Sequence, residues 1–359
     1  MNNINGLGAA LALVVFTGAA ASARTDKVDS YITAQMKQKN IPGCGVAILR
    51  GGRVDKIKSY GLANVELGVK STRNSAFEIG SVSKQFTAAA VMMLVEEGKV
   101  ALDDPISKHI PDTPPAWKDV TVRHLLTHTS GIKTYTELTG FDLDNRLTQA
   151  QFVSLLAKQP LDFPAGTKYK YNNSGYSLAG FIVANASGKP FFNFLRERIF
   201  EPLGMKNTGD RDPLRIIPGR VDGYIFDKNG LRNKDYDVTD LGGAGAICST
   251  INDMAKWAAA VDKNALLQPS SWAEIRTPQK LADGSSLTYG LGWNIRTVNG
   301  HAMHSHGGST SGFSAHLRRY PDDGLTIVML TNNEELDIAA AVVKGLVALI
   351  EPELAEPET

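Results

Sequence analysis

The sequence predicts a mixed α/β chain of the α+β kind. One antiparallel sheet is assembled from both ends and flanked by the terminal helices, and a mainly helical subdomain is inserted between. Three observations lead there. Strand-like hairpin signals occur only early and late: "GCGVAILRGGRVDKIKSYG" turns at Gly51-Gly52, "NIRTVNGHAMHSHGG" turns at Asn299-Gly300, and "GFSAHLRRYPDDGLTIVML" turns at a Pro-Asp-Asp-Gly. The readable elements from Ser83 to about Leu203 are instead helical. Apolar helices also stand at both ends: "TDKVDSYITAQMKQKN" spaces Val28, Tyr31, Ile32 and Met36 helically, and "ELDIAAAVVKGLVALI" closes the chain before an acidic tail. The boundaries that follow are a single domain over residues 24–355, with its sheet part at about 24–79 and 286–355 and its helical part at about 80–285. A site at the seam of the two parts is the expectation.

Within the helical part, "TVRHLLTHTSG" is expected to close at Gly131, "PFFNFLRERIF" to open with Pro190 in its first turn, and "STINDMAKWAAAV" to start from Thr250 and Asp253 in capping-box spacing. Residues 1–23 read differently. Leu7 to Ala23 is apolar and ends in Ala21-Ser22-Ala23, a small-x-small cleavage pattern, although "MNNING" carries no Lys or Arg. A signal peptide cleaved after Ala23 is expected, hence an exported protein, periplasmic or secreted. No other segment is apolar enough to span a membrane.

The chain has 359 residues, 43% hydrophobic and 21% charged, with a formal net charge of +1. That balance offers no electrostatic ground for a nucleic-acid or anionic-membrane partner. Cys44 and Cys248 are the only cysteines, both in Gly-rich apolar surroundings. Buried free thiols are the preferred reading, and one bridge between them is the alternative.

The chemistry begins at "FEIGSVSKQFTAAAVMMLVEEGKV". Ser81 and Lys84 are three apart, so a helix starting near Ser81 stacks one above the other. A buried lysine loses its charge, and the neutral amine can take a serine proton, while the helix start offers N–H groups to an oxyanion. The plainer reading of Ser81 or Ser83 is a helix N-cap. Ser130 and Lys133 share the spacing, but Gly131 interrupts them. A second element is Tyr171-Asn172-Asn173, the one Tyr-x-Asn in the chain, placed before an apolar helix. A phenol can relay or remove protons where nearby cations lower its pKa, and an asparagine can orient an amide or a lysine. A buried tyrosine beside a capping asparagine is the plainer reading. The third is His306-Gly307-Gly308, on a strand whose glycines allow close backbone approach and whose next N–H, that of Ser309, can serve an oxyanion.

The three elements, in this order and at these separations, resemble the penicillin-recognising serine hydrolases. The nearest branch is that of the class C β-lactamase-like proteins, which also holds D-alanyl-D-alanine carboxypeptidases, D-aminopeptidases and family VIII esterases. "RHLLTHTSGI", "EPLGM" and "YGLGW" resemble it as well, and the likeness covers about residues 25–350. The resemblance implies a β-lactamase/transpeptidase-like fold, with Ser81 as nucleophile, Lys84 as its proton acceptor and Tyr171 as general base or proton relay. It further implies that Asn173 binds the substrate amide and Lys84, that His306 and Gly308 stand beside the substrate, and that the N–H groups of Ser81 and Ser309 form an oxyanion hole. No metal and no organic cofactor are implied. The implied partner is a small ester, peptide or β-lactam, acted on by a serine hydrolase or, in the alternatives, by a true β-lactamase or a non-catalytic penicillin-binding sensor.

One departure bears on substrate. The third motif begins with histidine where the β-lactamases carry lysine, and a mostly neutral side chain gives poor purchase on a carboxylate. Two other reaction classes fit less well. His301, His304 and His306 cluster, and alternation would put His304 and His306 on one strand face like two metal ligands, but nothing further completes a set. His124 and His128 could be ligands on spacing, and the resemblance makes them packing and capping residues. A Ser-His-Asp esterase needs a G-x-S-x-G elbow, and the nearest stretch, Gly175 to Ala179, falls inside an apolar helix.

Overall fold

The computed structural model describes residues 16–139, 141, 147–234, 242–335 and 337–357. Residues 1–15 of the expected export segment lie outside the described residues. No described helix is long and apolar enough to cross a membrane.

Helix α1 (Phe16–Gln38) leads into strands β1 (Gly43–Arg50) and β2 (Arg53–Asn64). Gly51 and Gly52 both take positive φ at that turn, 54° and 68°, the conformation a tight two-residue hairpin demands. Short strands β3 (Val69–Lys70) and β4 (Ala76–Glu78) follow, and then helices α2 (Ser83–Glu96), α3 (Val122–Leu126), α4 (Gln149–Ala157), α5 (Asn173–Ser187) and α6 (Phe191–Leu195). Beyond them come β5 (Gly209–Asp210), β6 (Tyr224–Asp227), β7 (Gly230–Asn233), β8 (Ile247–Thr250), α7 (Ile251–Asp262) and α8 (Pro269–Ile275). The chain finishes with β9 (Asn294–Val298), β10 (His301–Thr310), β11 (Phe313–Tyr320), β12 (Leu325–Thr331) and α9 (Ile338–Ile350).

Seven strands form the main sheet in the order β3-β2-β1-β12-β11-β10-β9. All its ladders are antiparallel, and the two chain ends are joined where β1 pairs with β12, Cys44 opposite Thr331. Period-2 alternation divides the central strands between two cores. Cys44, Val46 and Ile48 face α1 and α9 with Ile327 and Met329, packing on Val28, Ile32, Val342 and Leu346. Ala47, Leu49, Val328 and Leu330 face the inserted segment and join Phe86, Leu94 and Trp257. Each such fully buried aliphatic side chain contributes about 1.5–3 kcal/mol. This sheet, covered on both faces, is the rigid wall against which the site is built.

The inserted part is mainly helical and also holds short strands: β5 and β8 pair with β4 in a small sheet, and β6 and β7 form a hairpin. Several expected helix ends need correction. The "TVRHLLTHTSG" helix stops at Leu126, five residues before Gly131, because the Thr127 hydroxyl hydrogen-bonds the Arg123 carbonyl and His128 turns to φ 61°. Gly131 serves close approach instead, since a Cβ there would lie 1.9 Å from the Phe163 carbonyl oxygen. Pro190 precedes the first turn of α6, with ψ 140°, and the helix then widens into a π-turn at Arg196–Phe200. Thr250 does cap α7 by accepting from the Asp253 N–H, but Asp253 does not reciprocate. Its buried carboxylate accepts from the Asn207 N–H at 2.7 Å and pairs with Lys256. Cys44 and Cys248 are free, buried thiols, and burial pushes each up to about 12.

Candidate active site

Ser81 sits in a tight 3₁₀ turn, Gly80–Val82, and the α-helix proper begins two residues later at Ser83. The turn is possible because Gly80 takes φ 49°. Ser81 and Lys84 nevertheless meet: Lys84 Nζ is 2.9 Å from Ser81 Oγ. The neighbouring Ser83 is wholly buried, and its hydroxyl accepts from the Ile247 N–H of β8 at 3.4 Å. Of the two serines, only Ser81 lines the open cleft.

Lys84 is completely buried, and that burial holds its pKa well below the ordinary lysine value. A neutral amine has two N–H bonds and one lone pair. Two carbonyl oxygens stand ready for the N–H groups, Asn173 Oδ1 at 2.9 Å and the Ala244 main-chain oxygen at 2.8 Å. Neither can donate, so the lone pair is left for the Ser81 hydroxyl. The Ala244 carbonyl comes from the loop "GGAGA", which reads in sequence only as the surroundings of Cys248. A main-chain oxygen has no residue-type signal by which to find it.

Asn173 is free for Lys84 because its neighbour does the capping. The Asn172 side chain accepts from the Gly175 N–H at 2.8 Å and starts α5. Tyr171 lies just before that cap, 38% exposed toward the cleft, with its ring centroid 4.9 Å from Lys84 Nζ. Burial within the site raises the phenol's pKa above its ordinary value, and a hydrogen bond with Ser81 only partly opposes this. A cation that could lower it is absent while Lys84 is neutral. Tyr171 therefore holds its proton at neutral pH and can donate or relay it; a resting phenolate base does not fit.

His128 and Tyr289 complete this wall. The His128 ring packs 4.3 Å from Tyr171, 5.1 Å from Tyr176 and 4.7 Å from Tyr289, centroid to centroid. Its Nδ1 accepts from the Asn172 N–H at 3.0 Å, and burial keeps it neutral. His124 closes a capping box with Thr121 at the start of α3. Both are the packing and capping residues the sequence suggests. Ser130 and Lys133, the false echo of the serine–lysine pair, are apart: Lys133 is bound to Asp162, and Ser130 accepts from the Ile132 N–H.

The opposite wall is β10. Here the backbones of strand and turn touch: a Cβ on Gly308 would lie 2.1 Å from the Ile79 carbonyl oxygen and 2.8 Å from Ser81 N, and one on Gly80 would lie 2.7 Å from Ser309 N. The glycines thus bring Ser309 N beside the Ser81 backbone. Ser309 opposes Ser314, one step from the Thr310–Phe313 pair that closes the hairpin. Ladder alternation therefore turns its N–H away from β11, and β9 ends its pairing at Ser305, which leaves that edge open.

His306 points into the wall rather than standing as a charge. Its Nδ1 is 2.6 Å from the Gly307 carbonyl and its Nε2 is 2.9 Å from the Tyr289 hydroxyl. A carbonyl can only accept, so Nδ1 carries the proton and Nε2 accepts from Tyr289. Burial holds its pKa down to about 3. Tyr289 belongs to "YGLGW", whose Gly292 takes φ 77° directly against the Lys84 carbonyl. Of the remaining histidines in the supposed metal set, His301 pairs with Asp323 and His304 lies 3.4 Å from an Arg319 nitrogen. Among the described residues no group of three or more His, Cys, Asp or Glu side chains is placed to hold a metal. Gly175 to Ala179 lies within α5, without a strand-to-helix elbow.

Ser81, Tyr171, His306, Gly307, Gly308 and Ser309 line one cleft of about 320 Å³, which also touches Asn294, Ser314, Ala315, Asp337 and Ala340. A carbonyl placed there meets a hydroxyl, a lone pair poised for its proton, a protonated phenol and the Ser309 N–H of the open strand edge, beside the Ser81 backbone. That is the equipment of acyl transfer.

Known proteins resemble this chain over most of its length. The chain is 29% identical over 310 residues to a penicillin-binding protein of Bacillus subtilis strain 168, covering 81% of this chain and 68% of that one. It is 30% identical over 298 residues to a D-aminopeptidase of Brucella anthropi, covering 82% of this chain but only 56% of that protein. The structure of a penicillin-binding protein from Bacillus halodurans superposes with a TM-score of 0.78 at 27% identity, covering 89% of this chain and 98% of that one. The family model described as Beta-lactamase matches residues 28–349. The chain therefore has the β-lactamase/transpeptidase fold and belongs to the beta-lactamase family of serine hydrolases.

Proposed function

We propose that this chain hydrolyses esters or amides through an acyl-enzyme on Ser81, with short-chain esters and D-amino-acid peptides preferred to β-lactams. The observation that carries the reading is the state of Lys84: fully buried, 2.9 Å from Ser81 Oγ, with both of its N–H bonds directed at carbonyl oxygens. Its lone pair accepts the Ser81 proton as Oγ attacks the substrate carbonyl. The resulting oxyanion is held by the N–H groups of Ser81 and Ser309. Collapse expels the alcohol or amine, which takes a proton from Tyr171 or from the Lys84 ammonium. Water then attacks the acyl-serine, its proton passing through the same pair, and the acid departs.

The substrate ranking rests on His306. A histidine with a pKa of about 3, whose nitrogens are occupied by Gly307 and Tyr289, supplies no positive charge for a β-lactam carboxylate. Rates with p-nitrophenyl acetate, nitrocefin and a D-alanyl-D-alanine peptide amidated at its C-terminus, hence without a carboxylate, test the order. The acetate or the peptide should lead, and nitrocefin turned over fastest would overturn the ranking. Ser81→Ala should abolish turnover with its circular dichroism unchanged; retained turnover would refute the assignment. An export signal in residues 1–23 belongs to the same proposal, resting on the Leu7–Ala23 pattern. N-terminal sequencing of the mature protein should begin at Arg24, and a chain still beginning at Met1 would contradict it.

A further inference from the structure

The lining of the cleft is unbalanced in charge. Lys84 is neutral behind the wall and His306 is neutral within it, so the catalytic end offers no fixed cation. Among the described residues, the one carboxyl side chain in the lining is that of Asp337, at the start of α9. Asp337 stands in an N-cap position with φ 63°, yet its carboxylate does not cap the helix. Among the described residues its side chain has no hydrogen-bond or ion-pair partner, although an acid at that position ordinarily satisfies a helix N–H. Neighbouring charges are already engaged. Glu334 accepts from the Gly312 N–H at 3.1 Å and lies 3.7 Å from Lys234 Nζ. The segment is held beside the open strand edge, where the Ser309 hydroxyl reaches the Glu334 carbonyl at 3.5 Å. An exposed carboxylate with no protein partner among the described residues thus shares a cleft with the nucleophile and with the open N–H of Ser309.

We propose that Asp337 gives the cleft a preference for substrates carrying a fixed positive charge, an ammonium ester or amide, and turns carboxylates away. The proposal rests on the hydrolase reading above and adds the charge of its substrate. Asp337 touches the bound substrate at a distance from the reacting carbonyl, so it is a specificity residue and should act mainly through KM. An exposed ion pair of this kind shifts binding by up to about fivefold at moderate ionic strength, and salt screens it.

The test uses two matched sets of esters, one varied in the alcohol half and one in the acyl half. Each set holds a trimethylammonium member, its tert-butyl isostere and a carboxylate member. The wild-type protein should favour the ammonium over the tert-butyl ester in kcat/KM by about fivefold in at least one set, and should disfavour the carboxylate. In Asp337→Asn that preference should collapse toward unity. Asparagine tolerates positive φ and caps helices as aspartate does, so the change removes charge and little else. Equal wild-type rates for ammonium and neutral members in both sets, or a preference that survives in Asp337→Asn, would overturn the selectivity. The neutral ester with Ser81→Ala tests the hydrolase reading separately: turnover lost there upholds it whatever the charge series gives.

Discussion

Lys84 carries the chemistry at the scale of one residue, and its protonation can be read through stability as well as rate. In the unfolded chain it is charged up to about pH 10.5, whereas in the fold burial strips the proton at a much lower pH. Between those two values the unfolded state binds more protons, so stability rises with pH. Wild type should therefore gain stability relative to Lys84→Met between pH 7 and pH 9 in urea titrations. A difference that stays flat would mean Lys84 keeps its proton in the fold. The same variant should lose about a hundred- to ten-thousand-fold in kcat, the usual worth of a general base. Lys84→Arg, which stays charged, should be no better. The serine–lysine pairing is legible in sequence because it is a local spacing. What sequence withholds is the second acceptor for the amine's N–H groups, the Ala244 carbonyl some 160 positions away. Sequence also leaves the sign of the Tyr171 shift open, since that depends on whether Lys84 is charged.

Among the elements, β10 decides whether the site closes. Its contact with the Ser81 turn leaves no room for a methyl group at Gly308, where a Cβ would meet main-chain atoms at 2.1 and 2.8 Å. Gly308→Ala should push the strand off the turn and displace the Ser309 N–H. The expected loss is about a hundredfold in kcat, comparable to removing one oxyanion donor, with a lower Tm. Gly209→Ala, at a glycine with nothing near its missing Cβ, should leave both readings near wild type. Equal effects of the two changes would show that close approach at β10 is unimportant. The hairpins were readable because Gly51-Gly52, Asn299-Gly300 and the Pro-Asp-Asp-Gly turn are strong local signals. The end of α3 was not, because a left-handed histidine stops it where Gly131 offers the obvious stop. The short β4, β5 and β8 are not legible because two to four residues carry no periodicity.

Across the whole molecule, the buried histidines set the response to acid. His128, His304, His306 and His316 all have pKa values lowered by burial, His304 to about 4 and His306 to about 3. Each is neutral in the fold but takes a proton on unfolding once the pH drops below about 6.5. The unfolded state then binds more protons, so stability falls with falling pH in that window. Urea midpoints should be lower at pH 5 than at pH 7, and His316→Leu, buried behind the cleft strand opposite Gly307, should flatten the slope. An unchanged midpoint would contradict neutral burial. At this scale the architecture was legible because the strand signals sit at the two chain ends, and antiparallel pairing of β1 with β12 follows directly. The convergence of Ser81, Tyr171 and His306 on one cleft rests on contacts between segments separated by scores of residues. Periodicity and spacing cannot show such contacts, and only the ordered set of motifs pointed to them.

The central claim is that Ser81 is acylated during turnover. Protein mixed with p-nitrophenyl acetate, quenched in acid within the first turnover and digested, should carry one acetyl group on the peptide containing Ser81. Ser81→Ala should show none. An acetyl group found on another residue while turnover proceeds, or turnover in Ser81→Ala, would contradict it.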